Sequence, residues 1–229
     1  MDDLNGTDKG SIHSYLRHLY EPILNISIPS KLLEIGIFRG ASLALWKLAL
    51  PQCEVIGVDI DTSNIKNAKA LDLLDNNLIK IIDCNAYQNP STLSSLGTFD
   101  LIIDDGPHTV TTQIAALAFV KQLSEMGTLV IEDINLRDPE VDRLFAEIYS
   151  LQGISLGILN FVHKKGRFDD VAAIFTKNEH VANWLEIRNN YFSNKLIRSS
   201  FGRNIVLKYS VFPQMWHKFL RFVKRNGLG

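Results

Sequence analysis

Two short apolar segments that end in acidic pairs constrain the fold of this sequence most strongly. Residues 99–109 read Phe-Asp-Leu-Ile-Ile-Asp-Asp-Gly-Pro-His-Thr, and residues 127–134 read Gly-Thr-Leu-Val-Ile-Glu-Asp-Ile. In an open parallel sheet, the carboxyl ends of neighbouring strands form one edge, and ligands bind there. Four carboxylates and one imidazole at such an edge suit a hard metal ion and a base. The side chains expected there are Asp104, Asp105, His108, Glu132 and Asp133.

Apolar strand-like segments alternate with helix-like segments along most of the chain, which is typical of parallel βαβ units. The pattern predicts an α/β fold with a doubly wound, mostly parallel sheet of seven strands and a carboxyl-terminal antiparallel hairpin. The strands are expected at residues 31–37, 54–60, 78–83, 101–104, 127–132, 157–163 and 170–176, with a hairpin loop at 164–169. Helices are expected at residues 7–22, 41–50, 64–74, 91–96, 110–124 and 139–151, and the first could cover the strand ends.

The chain divides by charge into a body and a basic extension. It has 229 residues and 46% hydrophobic content, which fits one core domain, expected at residues 1–189. Residues 190–229 carry eight of the 24 basic residues and none of the 25 acidic ones. Cys53 and Cys84 match neither a metal motif nor a disulfide framework, and no leader or membrane-spanning segment is recognisable. We therefore expect a cytoplasmic protein.

The basic extension contains an amphipathic segment at residues 212–225, with one aromatic and aliphatic face opposite a basic face. Such a face most often packs on its own domain or on a second subunit, so a homo-oligomer is expected. Peripheral contact with an anionic membrane is the second hypothesis. Nucleic acid is not expected as a partner, because the body of the protein is acidic.

A glycine pair marks the first strand-to-helix turn. Gly36 and Gly40 allow the backbone to approach a ligand closely, and the following helix amino terminus favours anionic groups. Their spacing departs from the G-x-G-x-x-G pattern of NAD enzymes. Asp59 ends the next strand about 20 residues on, the distance at which an acidic residue reaches ribose hydroxyls. Alternatively, Asp59 or Asp61 caps the following helix.

Taken in order, E-x-G-x-x-x-G, V-x-G-V-D, I-I-D-D-G-x-H and V-I-E-D resemble the motifs of S-adenosylmethionine-dependent methyltransferases with a Rossmann-like fold. More narrowly, they are similar to metal-dependent O-methyltransferases that modify sugar hydroxyls in macrolide biosynthesis and related glycans. The opening Thr-Asp-Lys-Gly at residues 7–10, followed by His13, Tyr15, Tyr20 and Glu21, is also similar to the start of that group's catalytic domain. The resemblance extends over residues 7–176.

The resemblance implies roles for individual residues. The implied cofactor-binding residues are Glu34, Gly36, Gly40 and Asp59, the metal ligands are Asp105, Glu132 and Asp133, and the base is His108. Two further residues are candidates for the cofactor side, Asp83 and Asp104. Residues 82–86 lack the usual Gly-Asp near the adenine, so either Asp83 or Asn85 could contact the adenine. Asp104 could instead face the helix that follows it. Pro107 stands where a serine is common.

The chemistry of these residue types agrees with the implied roles. Carboxylates suit Mg²⁺, which lowers the pKa of a hydroxyl group. A neutral His108 beside a helix amino terminus suits a general base. A solvated acid cluster without metal is the alternative, but neither motif contains a Lys or Arg to neutralise the four acids. Two other functions are possible: methyl transfer to a catechol-like phenol, and a non-catalytic nucleotide-binding role. The remaining histidines, including His13, are expected to be structural or exposed.

Overall fold

The computed structural model describes residues 9, 13–63, 65, 77–88 and 90–196. Its strands are β1 (Lys31–Ile35), β2 (Glu54–Asp59), β3 (Ile79–Asp83), β4 (Phe99–Asp104), β5 (Leu123–Ile131), β6 (Ser155–Asn160) and β7 (Val171–Thr176). The α-helices of the described part are α1 (Glu21–Ile26), α2 (Ala41–Ala49), α3 (Pro90–Ser94), α4 (Val110–Ala116), α5 (Val141–Ser150), α6 (Val162–Lys165) and α7 (Glu179–Leu196). A π-helical turn, Leu16–Tyr20, precedes α1, and a 3-10 segment, Leu117–Gln122, follows α4.

The seven strands form one sheet in the order β3-β2-β1-β4-β5-β7-β6. The pairs from β3 to β5 are parallel, whereas β7 runs antiparallel to both β5 and β6. The predicted fold class is therefore confirmed, including the carboxyl-terminal hairpin. The strand order reverses between β1 and β4, because β2 and β3 lie on one side of β1 and β4 and β5 on the other. Ligands bind at such a switch point in open α/β sheets.

Successive residues of the central strands face two separate cores. Leu32, Ile103 and Val130 lie in a cluster on one face, which we call the first core. Leu33 and Ile102 lie in a cluster on the other face, the second core. This alternation follows from the period of two residues along a strand. Because both faces are covered, the strands read in the sequence as continuous apolar runs.

Several predicted boundaries differ from those of the structure. The helix predicted to end at Pro22 continues to Ile26, because Pro22 lies in the first turn of α1, where its missing N–H costs nothing. The predicted helix 110–124 becomes a 3-10 segment at Leu117, and β5 begins at Leu123. The strand predicted to reach residue 163 ends at Asn160, and α6 occupies part of the predicted hairpin loop.

Two predicted helices lie wholly or mostly outside the described residues, namely those at 64–74 and 212–225. Within the part of the chain that the structure describes, no helix has the length and apolar composition needed to cross a membrane.

Candidate active site

The acidic pairs lie side by side at the carboxyl ends of β4 and β5, as predicted. Backbone hydrogen bonds hold these ends in register beyond the strands themselves. The amide of Asp105 donates to the carbonyl of Ile35 at 2.9 Å, and the amide of Glu132 donates to the carbonyl of Asp104 at 3.0 Å. The amide group of Gln113 in α4 also donates to the carbonyl of Glu132 at 3.0 Å. The acidic side chains therefore project from a fixed backbone.

Asp105, His108 and Asp133 converge. One ligand atom from each lies within 4.8 Å of the others. Nε2 of His108 lies 3.6 Å from Oδ1 of Asp105 and 3.7 Å from Oδ2 of Asp133. His108 and Asp133 both adopt the left-handed backbone region, with φ values of 55° and 54°. Such conformations are uncommon for residues other than glycine and cluster at functional sites.

A buried lysine partly compensates the charge of this acidic edge. The side chain of Lys9 is 1% exposed, and its Nζ lies 2.7 Å from Asp105, 2.6 Å from Glu132 and 3.4 Å from Glu34. Burial alone lowers the pKa of an ammonium group, but the charges of Asp105, Glu132 and Glu34 outweigh it and hold the pKa of Lys9 well above its usual range. Lys9 lies outside both acidic motifs, so the motifs alone do not reveal this counter-charge.

The meeting of Lys9 with three carboxylates follows from strand alternation. Glu34 and Glu132 project on the same side as Leu32 and Val130, toward the first core. Tyr20 packs in that core. The amino-terminal segment from residue 13 to α1 therefore covers the face from which these acids project.

Glu132 faces Lys9 and Tyr20. One carboxylate oxygen lies against Nζ of Lys9, and the other accepts a short hydrogen bond from the hydroxyl of Tyr20. Burial raises the pKa of Glu132 well above its usual range, although Lys9 opposes this. Of the three predicted metal ligands, the structure thus brings Asp105 and Asp133 together with His108, whereas the side chain of Glu132 is held by the amino-terminal segment.

Two aromatic residues of the amino-terminal segment lie at Asp133. The hydroxyl of Tyr15 donates to Oδ1 of Asp133 at 2.7 Å and accepts from the backbone amide of Asp133 at 3.1 Å. Nδ1 of His13 lies 3.3 Å from Oδ1 of Asp133 and 3.6 Å from Oδ1 of Asp170. Burial raises the pKa of Asp133, and the neighbouring His13 and His108 oppose this. His13 is buried, so it belongs to the surroundings of the site and is not a surface residue.

Asp104 faces away from the amino-terminal segment, toward the second core. The hydroxyl of Tyr87 donates to Oδ1 of Asp104 at 2.5 Å, and Tyr87 packs against the second core. Burial raises the pKa of Asp104 to about 7, while the hydrogen bond from Tyr87 opposes the shift. The structure therefore pairs Asp104 with an aromatic hydroxyl, and its predicted role at the cofactor stays a prediction.

The glycine turn lies directly against the acidic edge. Gly36 has a φ of 83°, and a Cβ at this position would lie 2.1 Å from the carbonyl oxygen of Asp105. No residue other than glycine fits that contact. Gly40, with a φ of 78°, precedes α2. Oδ2 of Asp59 accepts from the amides of Ile37 and Phe38, both at 2.9 Å, so Asp59 stabilises the turn between the two glycines.

The remaining predicted cofactor residues have different surroundings. Glu34 is fully buried and accepts from Nε1 of Trp46 at 3.1 Å in addition to its contact with Lys9. Asp83 lies opposite Asp59 in the β2–β3 register, is exposed, and accepts from the hydroxyl of Thr62 at 3.0 Å. Only Asp83 of these two is open to a ligand in solvent.

The donor atoms at the converging group fit a small divalent cation. Asp105 and Asp133 each direct one carboxylate oxygen toward His108. Mg²⁺ is held in many proteins by one or two carboxylates, with water and substrate oxygens as its other ligands. Imidazole nitrogen suits Ni²⁺, Zn²⁺ and Fe²⁺ better than Mg²⁺. With Mg²⁺, two aspartates would hold the ion and His108 would remain free to accept a proton.

Part of the chain matches a known family of enzymes. Residues 33–134, just under half of the chain, match the family model of a methyltransferase domain. No curated protein matches the chain in a sequence comparison.

Solved structures share the fold at low sequence identity. The S-adenosylhomocysteine-bound methyltransferase PaMTH1 from Podospora anserina aligns with a TM-score of 0.52 at 18% identity, over 67% of this chain and 74% of its own. A candidate caffeoyl-CoA O-methyltransferase from Staphylococcus aureus gives 0.55 at 17% identity, over 69% and 80%. The MycE methyltransferase of the mycinamycin pathway, in complex with Mg and S-adenosylhomocysteine, gives 0.50 at 22% identity, over 77% of this chain and 47% of its own. The Rossmann-like methyltransferase fold is thus established, and the match over residues 33–134 is to a methyltransferase domain.

Proposed function

We propose that this protein transfers a methyl group from S-adenosylmethionine to a sugar hydroxyl of a glycan precursor or a glycosylated natural product, with a divalent metal and a histidine base. The observation that carries the proposal is the convergence of Asp105, His108 and Asp133 beside the glycine turn. Because Gly36 contacts the backbone of Asp105, a cofactor bound at the turn lies next to these three side chains.

The reaction is an in-line displacement whose atoms balance with the groups at hand. The acceptor oxygen forms a bond to the methyl carbon, the sulfur–carbon bond breaks, and the bonding electron pair remains on sulfur. The hydroxyl proton passes to Nε2 of His108. Nε2 of His108 lies 3.6 Å from Oδ1 of Asp105 and 3.7 Å from Oδ2 of Asp133, so the proton acceptor lies beside the oxygens that would hold the metal. Holding the acceptor opposite the methyl group supplies much of the rate enhancement.

Asp105 and Asp133 are the residues that would hold the metal. When bound, a divalent ion polarises the acceptor hydroxyl as a Lewis acid and makes its proton easier to remove. Lys9 binds Oδ2 of Asp105, so Oδ1, which faces His108, remains available to the metal. The MycE structure shares the fold and was solved with Mg and S-adenosylhomocysteine, which supports a divalent metal and S-adenosylmethionine as cofactors here.

A phenolic acceptor is the second candidate. The candidate caffeoyl-CoA O-methyltransferase from Staphylococcus aureus shares the fold with a TM-score of 0.55, and this likeness is the observation that favours it. Vicinal hydroxyl groups occur in sugars and in catechols, and a pair of carboxylates with a metal suits both. The metal site alone therefore does not distinguish the two acceptor classes, and the residues that contact the rest of the acceptor would select between them.

Two experiments test the proposal. In thermal-shift measurements, S-adenosylhomocysteine should raise the melting temperature, Mg²⁺ should add to the effect, and NAD should have none. Stabilisation by NAD alone would contradict the proposed cofactor. Transfer of a labelled methyl group should then be measured with a panel of nucleotide sugars and a panel of catechols at equal concentration. Transfer to at least one sugar and to no catechol is expected, and the reverse result would replace the sugar acceptor with the phenol.

A further inference from the structure

In both Asp105 and Asp133, the two carboxylate oxygens have different partners, and the pattern is the same in each. Oδ2 of Asp105 accepts from Lys9 at 2.7 Å, whereas Oδ1 lies 3.6 Å from His108. Oδ1 of Asp133 accepts from Tyr15 at 2.7 Å, whereas Oδ2 lies 3.7 Å from His108. One oxygen of each aspartate is thus held by the amino-terminal segment, and the other faces the converging group.

Lys9 connects three strands through one buried charge. Its partners are Glu34 in β1, Asp105 directly after β4 and Glu132 directly after β5. A buried ammonium without partners is costly, and so are buried carboxylates without a cation. The amino-terminal segment therefore brings one buried positive charge to the acidic edge, and this charge compensates part of the charge of its three carboxylate partners.

Tyr15 fixes both the side chain and the backbone of Asp133. Its hydroxyl donates to the carboxylate and accepts from the amide of the same residue. This second contact holds Asp133 in its left-handed conformation, with φ at 54°. A residue in that region is retained only when its surroundings determine it. Tyr15 supplies two of these determinants, and it is fully buried.

From these contacts we infer that Lys9 and Tyr15 are positioning residues that orient Asp105 and Asp133 for a divalent cation. The inference rests on the proposed function and deepens it, because the cation site forms only with the amino-terminal segment docked. Partners that orient metal ligands in this way typically contribute 10- to 100-fold to metal affinity. By linkage, cation binding and docking of the segment strengthen each other equally.

The geometry distinguishes this role from simple replacement of the metal by Lys9. A lysine that replaced the cation would occupy the oxygens that converge on His108. Lys9 instead takes Oδ2 of Asp105, and Oδ1 faces His108. The oxygen of Asp133 that faces His108 is likewise not the one bound by Tyr15. The lysine and a cation can therefore bind the edge together.

Binding of Mn²⁺ to the full-length protein tests the inference without any acceptor. The affinity for Mn²⁺ is measured by calorimetry, and that for S-adenosylhomocysteine in parallel, for the wild type and for Tyr15→Phe, Lys9→Arg and Lys9→Met. The matched control is Lys80→Met, since Lys80 pairs with Glu54 at the opposite end of β2 and is 58% exposed. We expect Tyr15→Phe and Lys9→Met to weaken Mn²⁺ binding about 10-fold or more, with Lys9→Arg restoring part of it. The affinity for S-adenosylhomocysteine should change less than about threefold, and Lys80→Met should match the wild type.

Each outcome decides something different. If Tyr15→Phe and Lys9→Met bind Mn²⁺ as the wild type does, the positioning role is wrong and the proposed reaction is untouched. If the wild type binds S-adenosylhomocysteine but no Mn²⁺, the metal in the proposed function is wrong, and the positioning role fails with it. Should Lys9→Met not fold, Tyr15→Phe decides, because it removes a single hydroxyl and keeps the ring in the first core.

Discussion

The ammonium of Lys9 lies 2.6 Å from a carboxylate oxygen of Glu132, although the two residues are 123 positions apart in the sequence. This contact joins the amino-terminal segment to the end of β5. It also directs Glu132 away from the group formed by Asp105, His108 and Asp133. Lys9 therefore holds Glu132 and one oxygen of Asp105, whereas the other oxygen of Asp105 faces His108.

Replacement of Glu132 by Gln should destabilise the protein by about 3 kcal/mol, because removing one member of a buried ion pair leaves the other charge incompletely compensated. Lys9 keeps Asp105 and Glu34 as partners, so the effect should lie at the low end of the range for buried pairs. Urea unfolding measures it. Glu54→Gln is the control, since its pair with Lys80 is largely exposed, and it should cost less than about 1 kcal/mol. Equal losses in the two variants would contradict the buried pair.

Replacement of Gly36 by Ala should cost several times more than replacement of Gly97 by Ala. Both glycines have a φ near 82°, so both variants carry the left-handed strain of about 1–2 kcal/mol. Of the two, only Gly36 has a backbone atom in the way of the added Cβ, the carbonyl oxygen of Asp105 at 2.1 Å. At Gly97, no atom of the described residues lies within 4 Å. Gly36→Ala should also weaken binding of S-adenosylhomocysteine, which Gly97→Ala should not. Similar stability of the two variants would show that the turn does not pack against the edge.

The sequence was sufficient for the fold and for the meeting of Asp105 with His108 and Asp133. Continuous apolar runs identify strands buried on both faces, and parallel strands bring their carboxyl ends to one edge. Strand alternation could also have separated Asp104 from Asp105, since neighbouring residues project to opposite faces. The second core receives Asp104, and Lys9 meets Asp105.

The partners of the acids could not be predicted from the motifs. Lys9 lies 96 residues from Asp105, and Tyr15 lies 118 residues from Asp133. No local periodicity reports such a contact. The Thr-Asp-Lys-Gly opening and the tyrosines after it were the available signal, because they resemble the start of the catalytic domain in related enzymes, but the resemblance assigned them no role.

The contribution of Asp104 to stability should fall as the pH rises from about 4 to about 7. Burial raises the pKa of Asp104 to about 7 in the folded protein, from an ordinary value of 3.8. Between these values the folded state keeps a proton that the unfolded state releases, so the unfolded state gains relative stability with each step in pH. Urea unfolding with a chelator at pH 5 to 8 should show a steeper decline for the wild type than for Asp104→Asn. Parallel curves would contradict the raised pKa.

His108 should contribute to binding of Ni²⁺ but not of Mg²⁺, because imidazole nitrogen suits the former and oxygen ligands the latter. His108→Ala should lower the affinity for Ni²⁺ about 10-fold or more and leave the affinity for Mg²⁺ within about threefold of the wild type. Competition with Mn²⁺, followed by paramagnetic resonance, measures both. An equal loss for the two ions would make His108 a metal ligand, and it would then not serve as the base.

The most direct test of the central claim is methyl transfer by Asp105→Asn and His108→Ala, measured with labelled S-adenosylmethionine and an acceptor sugar found in the panel. Loss of a general base costs about 10²- to 10⁴-fold in rate, and both variants should lose at least this much. Binding of S-adenosylhomocysteine should remain within a few-fold of the wild type, which shows that the fold and the glycine turn are intact. Near-normal turnover in either variant would contradict the roles assigned to these two residues.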